Sequence, residues 1–109
     1  MNKVVKVAIL GSTGYVGMEL IDILVKHPHI KINFLGSENL RIQHRFDKKK
    51  KYSKLPSLTL NKDFDPKKSD AVFLALPHGI SQQYVKEYFD KISIFDLMNV
   101  NLYNLEIIL

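Results

Sequence analysis

The chain has 109 residues, which is enough for one compact domain, and 46% of them are hydrophobic, which is enough to build a core. It has no cysteine, so a disulfide scaffold, a thiolate metal site and a cysteine nucleophile are all excluded within these residues. The formal net charge is +5, a value that raises the question of nucleic-acid binding.

The positive charge is concentrated in residues 41–54, which include the run Lys48–Lys51. That segment has seven Lys and Arg residues and one Asp, so its net charge is +6 and the remaining residues sum to −1. Because the charge belongs to one stretch and not to a face of the fold, we predict a solvated basic loop and no nucleic-acid partner.

No apolar segment approaches the length of a membrane span, and Lys6 interrupts the first apolar run, which argues against a signal peptide. We therefore expect a soluble, cytoplasmic protein with no membrane partner. His27, His29 and His44 do not have the spacing of metal ligands, so no metal site is predicted.

The first predicted elements are a strand, a helix and a second strand. Val4–Leu10 is a short apolar run rich in β-branched residues, which is typical of a buried strand. Tyr15–Lys26 has the pattern of an apolar helix, and Pro28 ends it. Ile30–Gly36 is predicted to be the second strand, and the polar, basic residues 37–56 are predicted to be a loop.

The second half repeats this alternation. A short strand is predicted at Ser57–Leu60, a polar connection at Asn61–Asp70 and a continuous apolar strand at Ala71–Leu76. An amphipathic helix follows at Ile80–Asp90 and a last strand at Ser93–Leu97. The apolar side of that helix is predicted to consist of Ile80, Tyr84, Val85, Tyr88 and Phe89. This order predicts an α/β fold with a parallel sheet and helices on both faces.

The most informative motif is GSTGYVG at residues 11–17, which has three glycines at a spacing of three between the first strand and the first helix. Gly11 suits a tight turn out of the strand, Gly14 leaves room for a pyrophosphate to approach the backbone, and Gly17 lets the helix pack closely. The free amides at the positive end of the helix would then face the phosphates. We predict a nucleotide-binding loop, with a ligand-free tight turn as the alternative.

The adenosine ribose is expected at the end of the second strand. Ser12 and Thr13 add hydroxyl donors at the rim of the glycine loop. Glu38 could accept a hydrogen bond from a ribose 2′-hydroxyl, which favours NAD, whereas Ser37 and Arg41 could bind a 2′-phosphate, which favours NADP. The sequence leaves this choice open.

A second loop, Leu76-Pro77-His78-Gly79, follows the central apolar strand. Since ligands of open α/β sheets lie across the carboxyl ends of the strands, this loop should face the same crevice as the glycine loop. His78 either contacts a ribose or a substrate, or it only orients the turn. Both interpretations remain open at this point.

The stretches VAILGSTGYVGMELIDILVKHP, FLGSE, AVFLALPHG and IFDL, in this order, resemble N-acetyl-gamma-glutamyl-phosphate reductase of the semialdehyde dehydrogenase family. The resemblance runs from Val5 to Leu97. It implies a Rossmann-type doubly wound parallel sheet, as a single incomplete domain at residues 1–97 followed by a divergent tail at 98–109. The family reduces an acyl phosphate to an aldehyde in arginine biosynthesis, using NADPH, a cysteine thiolate and a histidine in a second domain.

The resemblance also implies roles for individual residues. The glycine loop would hold the pyrophosphate, Ser37 would lie by the 2′-phosphate with Arg41 nearby, and the second loop would line the ribose and nicotinamide side. The implied NADP-binding residues are Gly11, Ser12, Thr13, Gly14, Tyr15, Val16, Gly17, Ser37, Arg41, Leu76, Pro77 and His78. An acyl-phosphate substrate and a homo-oligomer belong to the full-length family.

The last residues depart from the family pattern. Divergence begins at Met98, and the chain ends on Ile107-Ile108-Leu109. Because the sequence also lacks the family's cysteine, we expect an N-terminal cofactor-binding fragment that is inactive alone. A free-standing nucleotide-binding regulatory module is the alternative, and it would require a well-packed C-terminus.

Overall fold

A computed structural model describes residues 3–40 and 55–98 of the chain. The predicted basic loop at 41–54, which includes Arg41, and residues 99–109 of the predicted tail lie outside the described residues. The elements follow the predicted order: β1 (Val5–Leu10), α1 (Tyr15–Leu24), β2 (Ile30–Ser37), β3 (Leu58–Leu60), β4 (Ala71–Leu74), α2 (His78–Tyr88) and β5 (Ser93–Asp96). Two single turns of 3-10 helix, Asn61–Asp63 and Pro66–Lys68, connect β3 to β4.

The five strands form one parallel sheet in the order β3-β2-β1-β4-β5. The chain therefore builds outward from β1 in one direction, then returns to the other side of β1 and builds outward again. This confirms the predicted doubly wound α/β sheet. The switch point lies between β1 and β4, and ligands of such sheets bind at the carboxyl ends of the strands at that point.

The two helices cover opposite faces of the sheet because side chains alternate along each strand. In β1, Val7 and Ile9 pack in the cluster that contains α1, whereas Ala8 and Leu10 pack in the cluster that contains Tyr88 of α2. All four side chains are buried, so β1 is covered on each side, as a central parallel strand must be. The helices thereby hold the carboxyl edge of β1 in a fixed position.

An irregularity in β2 decides which of its residues reach the functional edge. Val7 of β1 pairs with Ile32 of β2, but the next residue of β1, Ala8, pairs with Phe34. The register between the two strands therefore shifts by one residue at this point. The extra residue, Asn33, is held by the carbonyl of Lys68, to which its Nδ2 donates at 2.8 Å. After this bulge, alternate residues of β2 face α2 and α1 in turn.

Several element boundaries differ from the predictions by one or two residues, and two of these differences lie at the second loop. β4 ends at Leu74, not at Leu76, and α2 begins at His78, not at Ile80. The start of α2 follows from Pro77, the N-cap residue, whose carbonyl accepts from the amides of Ile80 and Ser81. His78 therefore belongs to the first turn of a helix.

The predicted apolar side of α2 is correct except at its end. Ile80, Tyr84, Val85 and Tyr88 pack in the core cluster on that face. Phe89 does not, because it follows the last helical residue and its side chain is 77% exposed. Tyr88 fills the core position there, with its ring edge-on to Phe64 at 5.4 Å.

Tyr88 makes the stability of the fold sensitive to alkali. Its ring is buried, and its hydroxyl donates to the carbonyl of Phe64 at 3.5 Å. Burial, with smaller contributions from nearby Glu87, Tyr84 and Asp65, raises the pKa of Tyr88 to about 12. This pKa exceeds that of a tyrosine in the unfolded chain, so Tyr88 ionises more readily when the protein unfolds. Its contribution to the free energy of unfolding is therefore complete below about pH 10 and is lost as the pH rises towards 12.

We therefore expect the free energy of unfolding to fall by about 2 kcal/mol between about pH 10 and pH 12. Tyr88→Phe keeps the ring and removes the ionising group, so its unfolding free energy should decline less across the same range. Urea denaturation at several pH values measures both proteins. An identical pH dependence in the two would contradict the assignment.

Candidate dinucleotide-binding site

The glycine loop lies at the switch point and touches the loop that follows β4. Gly11 has φ +80°, a left-handed conformation that favours glycine. A Cβ there would overlap the carbonyl oxygen of Ala75 and would lie 2.9 Å from Cδ2 of Leu76. The turn at Gly11 is therefore both tight and in direct contact with the second loop, so the two loops meet at the same edge of the sheet.

Gly17 is the place where α1 approaches this turn most closely. A Cβ at Gly17 would overlap the carbonyl oxygen of Gly11 and would lie 2.7 Å from Cα of Ser12. The close approach predicted for this glycine is thus present, and its partner is the backbone of the turn. Both glycines are explained by packing within the chain.

Gly14 is different, because nothing within the described residues requires it to be glycine. Its φ of −78° and ψ of 173° are open to any residue. The only described heavy atom within 4 Å of an added Cβ is the carbonyl oxygen of Gly11, at 3.7 Å, which is an ordinary contact. Gly14 is exposed, so its backbone beside the start of α1 is left uncovered, and a ligand close to that backbone would explain the missing side chain.

The start of α1 suits an anion. Gly14 is the N-cap residue and has no side chain to accept from the first amides, and the first turn contains no acidic residue. The first amides of a helix have no partners within the helix and carry the positive end of its dipole. Tyr15, which is 83% exposed, and the half-buried Val16 flank this end.

One carbonyl group holds the glycine loop onto β2. The oxygen of Gly36 accepts from the amides of Gly11 (3.0 Å) and Ser12 (2.8 Å) and from the Ser12 hydroxyl (2.9 Å). Ser12 is fully buried. The expectation that its hydroxyl lies at the rim is therefore wrong, because that hydroxyl is used to fix the loop.

The Thr13 hydroxyl does reach the end of β2. Its Oγ1 lies 3.1 Å from Oγ of Ser37, which is the last residue of that strand and is 3% exposed. The structure thus brings Ser37 next to the glycine loop. Arg41, the other residue predicted for this end of the coenzyme, lies outside the described residues.

In the second loop Leu76 is buried, whereas Pro77 and His78 are exposed. Nε2 of His78 lies 3.1 Å from Nε2 of Gln82, one helical turn further along α2. The carbonyl of His78 accepts from the Ser81 hydroxyl at 3.1 Å, and that hydroxyl also lies 3.0 Å from Oδ2 of Asp96. The His78 ring is therefore at the surface, and Ser81 ties α2 to the end of β5.

Asn61 is a buried polar residue of the site that the sequence pattern does not single out. It follows β3 directly and is 1% exposed. Its Oδ1 accepts from the amide of Gly11 at 3.1 Å, and its Nδ2 donates to Oε1 of Glu38 at 2.8 Å. The one signal in the sequence is its place at the carboxyl end of a short parallel strand.

Within residues 3–40 and 55–98 there is no group of three or more His, Cys, Asp or Glu side chains that could hold a metal ion. In the same ranges, neither helix is long and apolar enough to cross a membrane. His27 and His29 are exposed and lie edge-on to each other at 6.0 Å in the turn before β2.

The family described as "Semialdehyde dehydrogenase, NAD binding domain" matches residues 6–99 of the chain. The match covers β1 from its second residue, all the later elements described above and both loops of the site. The chain therefore belongs to the semialdehyde dehydrogenase family, and it comprises the family's NAD-binding domain.

Similar curated proteins carry one name, N-acetyl-gamma-glutamyl-phosphate reductase. The protein from Caldicellulosiruptor saccharolyticus is 42% identical over 89 residues, which are 79% of this chain and 26% of that protein. The protein from Ehrlichia canis is 38% identical, covering 89% of this chain and 29% of that protein. The "probable" chloroplastic protein of Arabidopsis thaliana is 34% identical, covering 88% and 24%. The chain thus spans less than a third of the length of these relatives.

A solved structure shares the fold. The aspartate semialdehyde dehydrogenase with NADP from Candida albicans superposes with a TM-score of 0.69 over 84% of this chain and 29% of that one. The sequence identity is 20%, so this likeness concerns the fold alone. It confirms the Rossmann-type arrangement inferred from the resemblance.

Proposed function

We propose that this chain is the NADP-binding part of an N-acetyl-gamma-glutamyl-phosphate reductase, which reduces that acyl phosphate to its semialdehyde in arginine biosynthesis. Support comes from relatives of that name at 34–42% identity over most of the chain. The structural observation that carries the proposal is the exposed backbone at Gly14, where packing within the described residues does not require glycine, beside uncapped helix amides at the switch point. We propose residues 1–97 as the limits of the domain.

The pyrophosphate would lie against residues 11–17, with the α1 amides donating to its oxygens. Ser37, beside Thr13, would lie by the 2′-phosphate, with Arg41 as a further cation there. Leu76, Pro77 and His78 would line the ribose and nicotinamide side. When bound, the coenzyme supplies the hydride; the residues of this chain bind it and orient it at the carboxyl edge of the sheet.

The proposed reaction needs a thiolate, and the sequence contains no cysteine. We therefore propose that these 109 residues bind coenzyme without turnover. The acyl phosphate would be a substrate only where a further polypeptide segment supplies the thiolate.

Titration of the 109-residue chain with NADPH and with NADH, followed by calorimetry and by nicotinamide fluorescence, tests the proposal. Saturable binding with tighter binding of NADPH is expected, because Ser37 and Arg41 favour a 2′-phosphate. Equal affinities would contradict the proposed preference for NADPH. Absence of heat with both coenzymes would contradict the site itself.

A further inference from the structure

We propose that Asn61 is a positioning residue that holds the Glu38 carboxylate at the ribose 2′ position and so limits the preference for NADPH over NADH. The inference rests on the proposed coenzyme site and deepens it. It starts from the two hydrogen bonds of one buried amide, to Gly11 and to Glu38.

The orientation of the Asn61 amide follows from its partners. The backbone amide of Gly11 can only donate, so it must face Oδ1. The Glu38 carboxylate oxygen accepts, so it faces Nδ2. The amide also fills the space beside Gly36, where an added Cβ would overlap its Oδ1. Asn61 is therefore fixed on three sides.

Fixing Asn61 fixes Glu38. The Glu38 residue itself is exposed, and a free glutamate at the surface would sample many rotamers. Its bond of 2.8 Å to a buried, immobile donor instead holds the carboxylate beside the end of β3. Because Asn61 also accepts from Gly11, the same residue sets the glycine loop and the carboxylate relative to each other.

The place of the carboxylate matters for the coenzyme. Glu38 directly follows β2, the neighbour of β1, and in this class of sheet the adenosine ribose lies over that strand end. A carboxylate there accepts from a 2′-hydroxyl and repels a 2′-phosphate. Ser37, the last residue of β2, instead has its Oγ 3.1 Å from Oγ1 of Thr13. The two adjacent residues therefore act in opposite directions on the choice of coenzyme.

The experiment measures the ratio of the NADH and NADPH dissociation constants of the 109-residue chain by calorimetry. A ratio is used because a merely structural defect changes both constants together. Glu38→Gln removes the charge but keeps an acceptor for Asn61. We expect it to raise the preference for NADPH about tenfold, the effect of removing one charge near a phosphate in a partly hydrated site.

Asn61→Ala releases the carboxylate without removing it, while the Gly11 amide keeps its bond to Gly36. We expect a smaller shift of the ratio in the same direction, about threefold. In the Glu38→Gln background, Asn61→Ala should change the ratio no further, because Asn61 acts through Glu38. Glu87→Gln, which removes an exposed carboxylate from the last turn of α2, is the control for net charge.

Each outcome decides the inference. An unchanged ratio in Glu38→Gln, with both coenzymes still bound, overturns it and leaves the proposed function standing. A shift with Asn61→Ala that persists in the double variant shows that Asn61 does not act through Glu38. Should Asn61→Ala fail to fold, Asn61→Ser completes the same cycle. If the unaltered chain binds neither NADH nor NADPH, the proposed function and the inference are overturned together.

Discussion

Gly14→Ala is expected to weaken the binding of NADPH and NADH at least tenfold without unfolding the protein. The added methyl group would occupy the space beside the first amides of α1, where the pyrophosphate is proposed to lie. It would displace a phosphate from those donors, and loss of one charge-assisted hydrogen bond costs about 1.5–3 kcal/mol, or about tenfold to a hundredfold in affinity.

The fold itself should tolerate this change. The backbone angles of Gly14 are accessible to alanine, and the nearest described atom is at ordinary contact distance. Alanine is a poorer N-cap than glycine by about 0.5–1 kcal/mol, but it restricts the unfolded chain by a similar amount. The two effects nearly cancel, so the midpoint of thermal unfolding should stay within a few degrees.

Calorimetric titration and thermal unfolding of the same sample test both halves of this prediction. Gly14→Val, with a larger side chain in the same place, should bind more weakly still. Unchanged affinity in both variants would mean that no ligand approaches the backbone at Gly14. The proposed function would then lose the structural observation on which it rests.

Gly17→Ala is expected to have the opposite profile, with a large loss of stability. Its methyl group would overlap the carbonyl oxygen of Gly11 and crowd the Ser12 backbone, and neither can rotate away. α1 must shift off the turn, and overpacking of this kind typically costs about 1–3 kcal/mol. In a domain of this size that lowers the unfolding temperature by about 5–15 °C.

Gly11→Ala should be at least as harmful, because it adds the strain of a positive φ to an overlap with the Ala75 carbonyl. The matched control is Gly79→Ala in the first turn of α2, where no described atom lies within 4 Å of an added Cβ. That change should leave stability equal or slightly higher, since alanine is the better helix former. Equal unfolding temperatures for all three variants would refute the packing described for this turn.

The element order could be predicted from the sequence because each element has a local cause. The apolar run of β1, the prolines at 28 and 77 and the spacing of the glycines act within a few residues of themselves. They also place both loops at the carboxyl edge, since parallel strands all end there. The predicted start of α2 at Ile80 was wrong because a helix start depends on where the first carbonyl acceptor lies, and Pro77 supplies it.

The contacts that assemble the site could not be predicted, because they join residues far apart in the chain. Ser12 meets Gly36, 24 residues away, and Asn61 meets Gly11, 50 residues away. Nothing near Ser12 indicates that its hydroxyl turns inward, and nothing near Asn61 indicates that its amide is buried. Only the register of neighbouring strands decides which side chains meet at their ends. The role of Arg41 near the 2′-phosphate stays a prediction, since Arg41 lies outside the described residues.

The sequence by itself determined the class of fold and the glycine loop, since hydrophobic periodicity and chain breakers are local properties. The tertiary structure alone decided which glycine is free for a ligand. Gly11 and Gly17 face backbone atoms and Gly14 faces open space, yet the three look alike in the sequence. That difference arises only when α1 is packed onto the turn after β1.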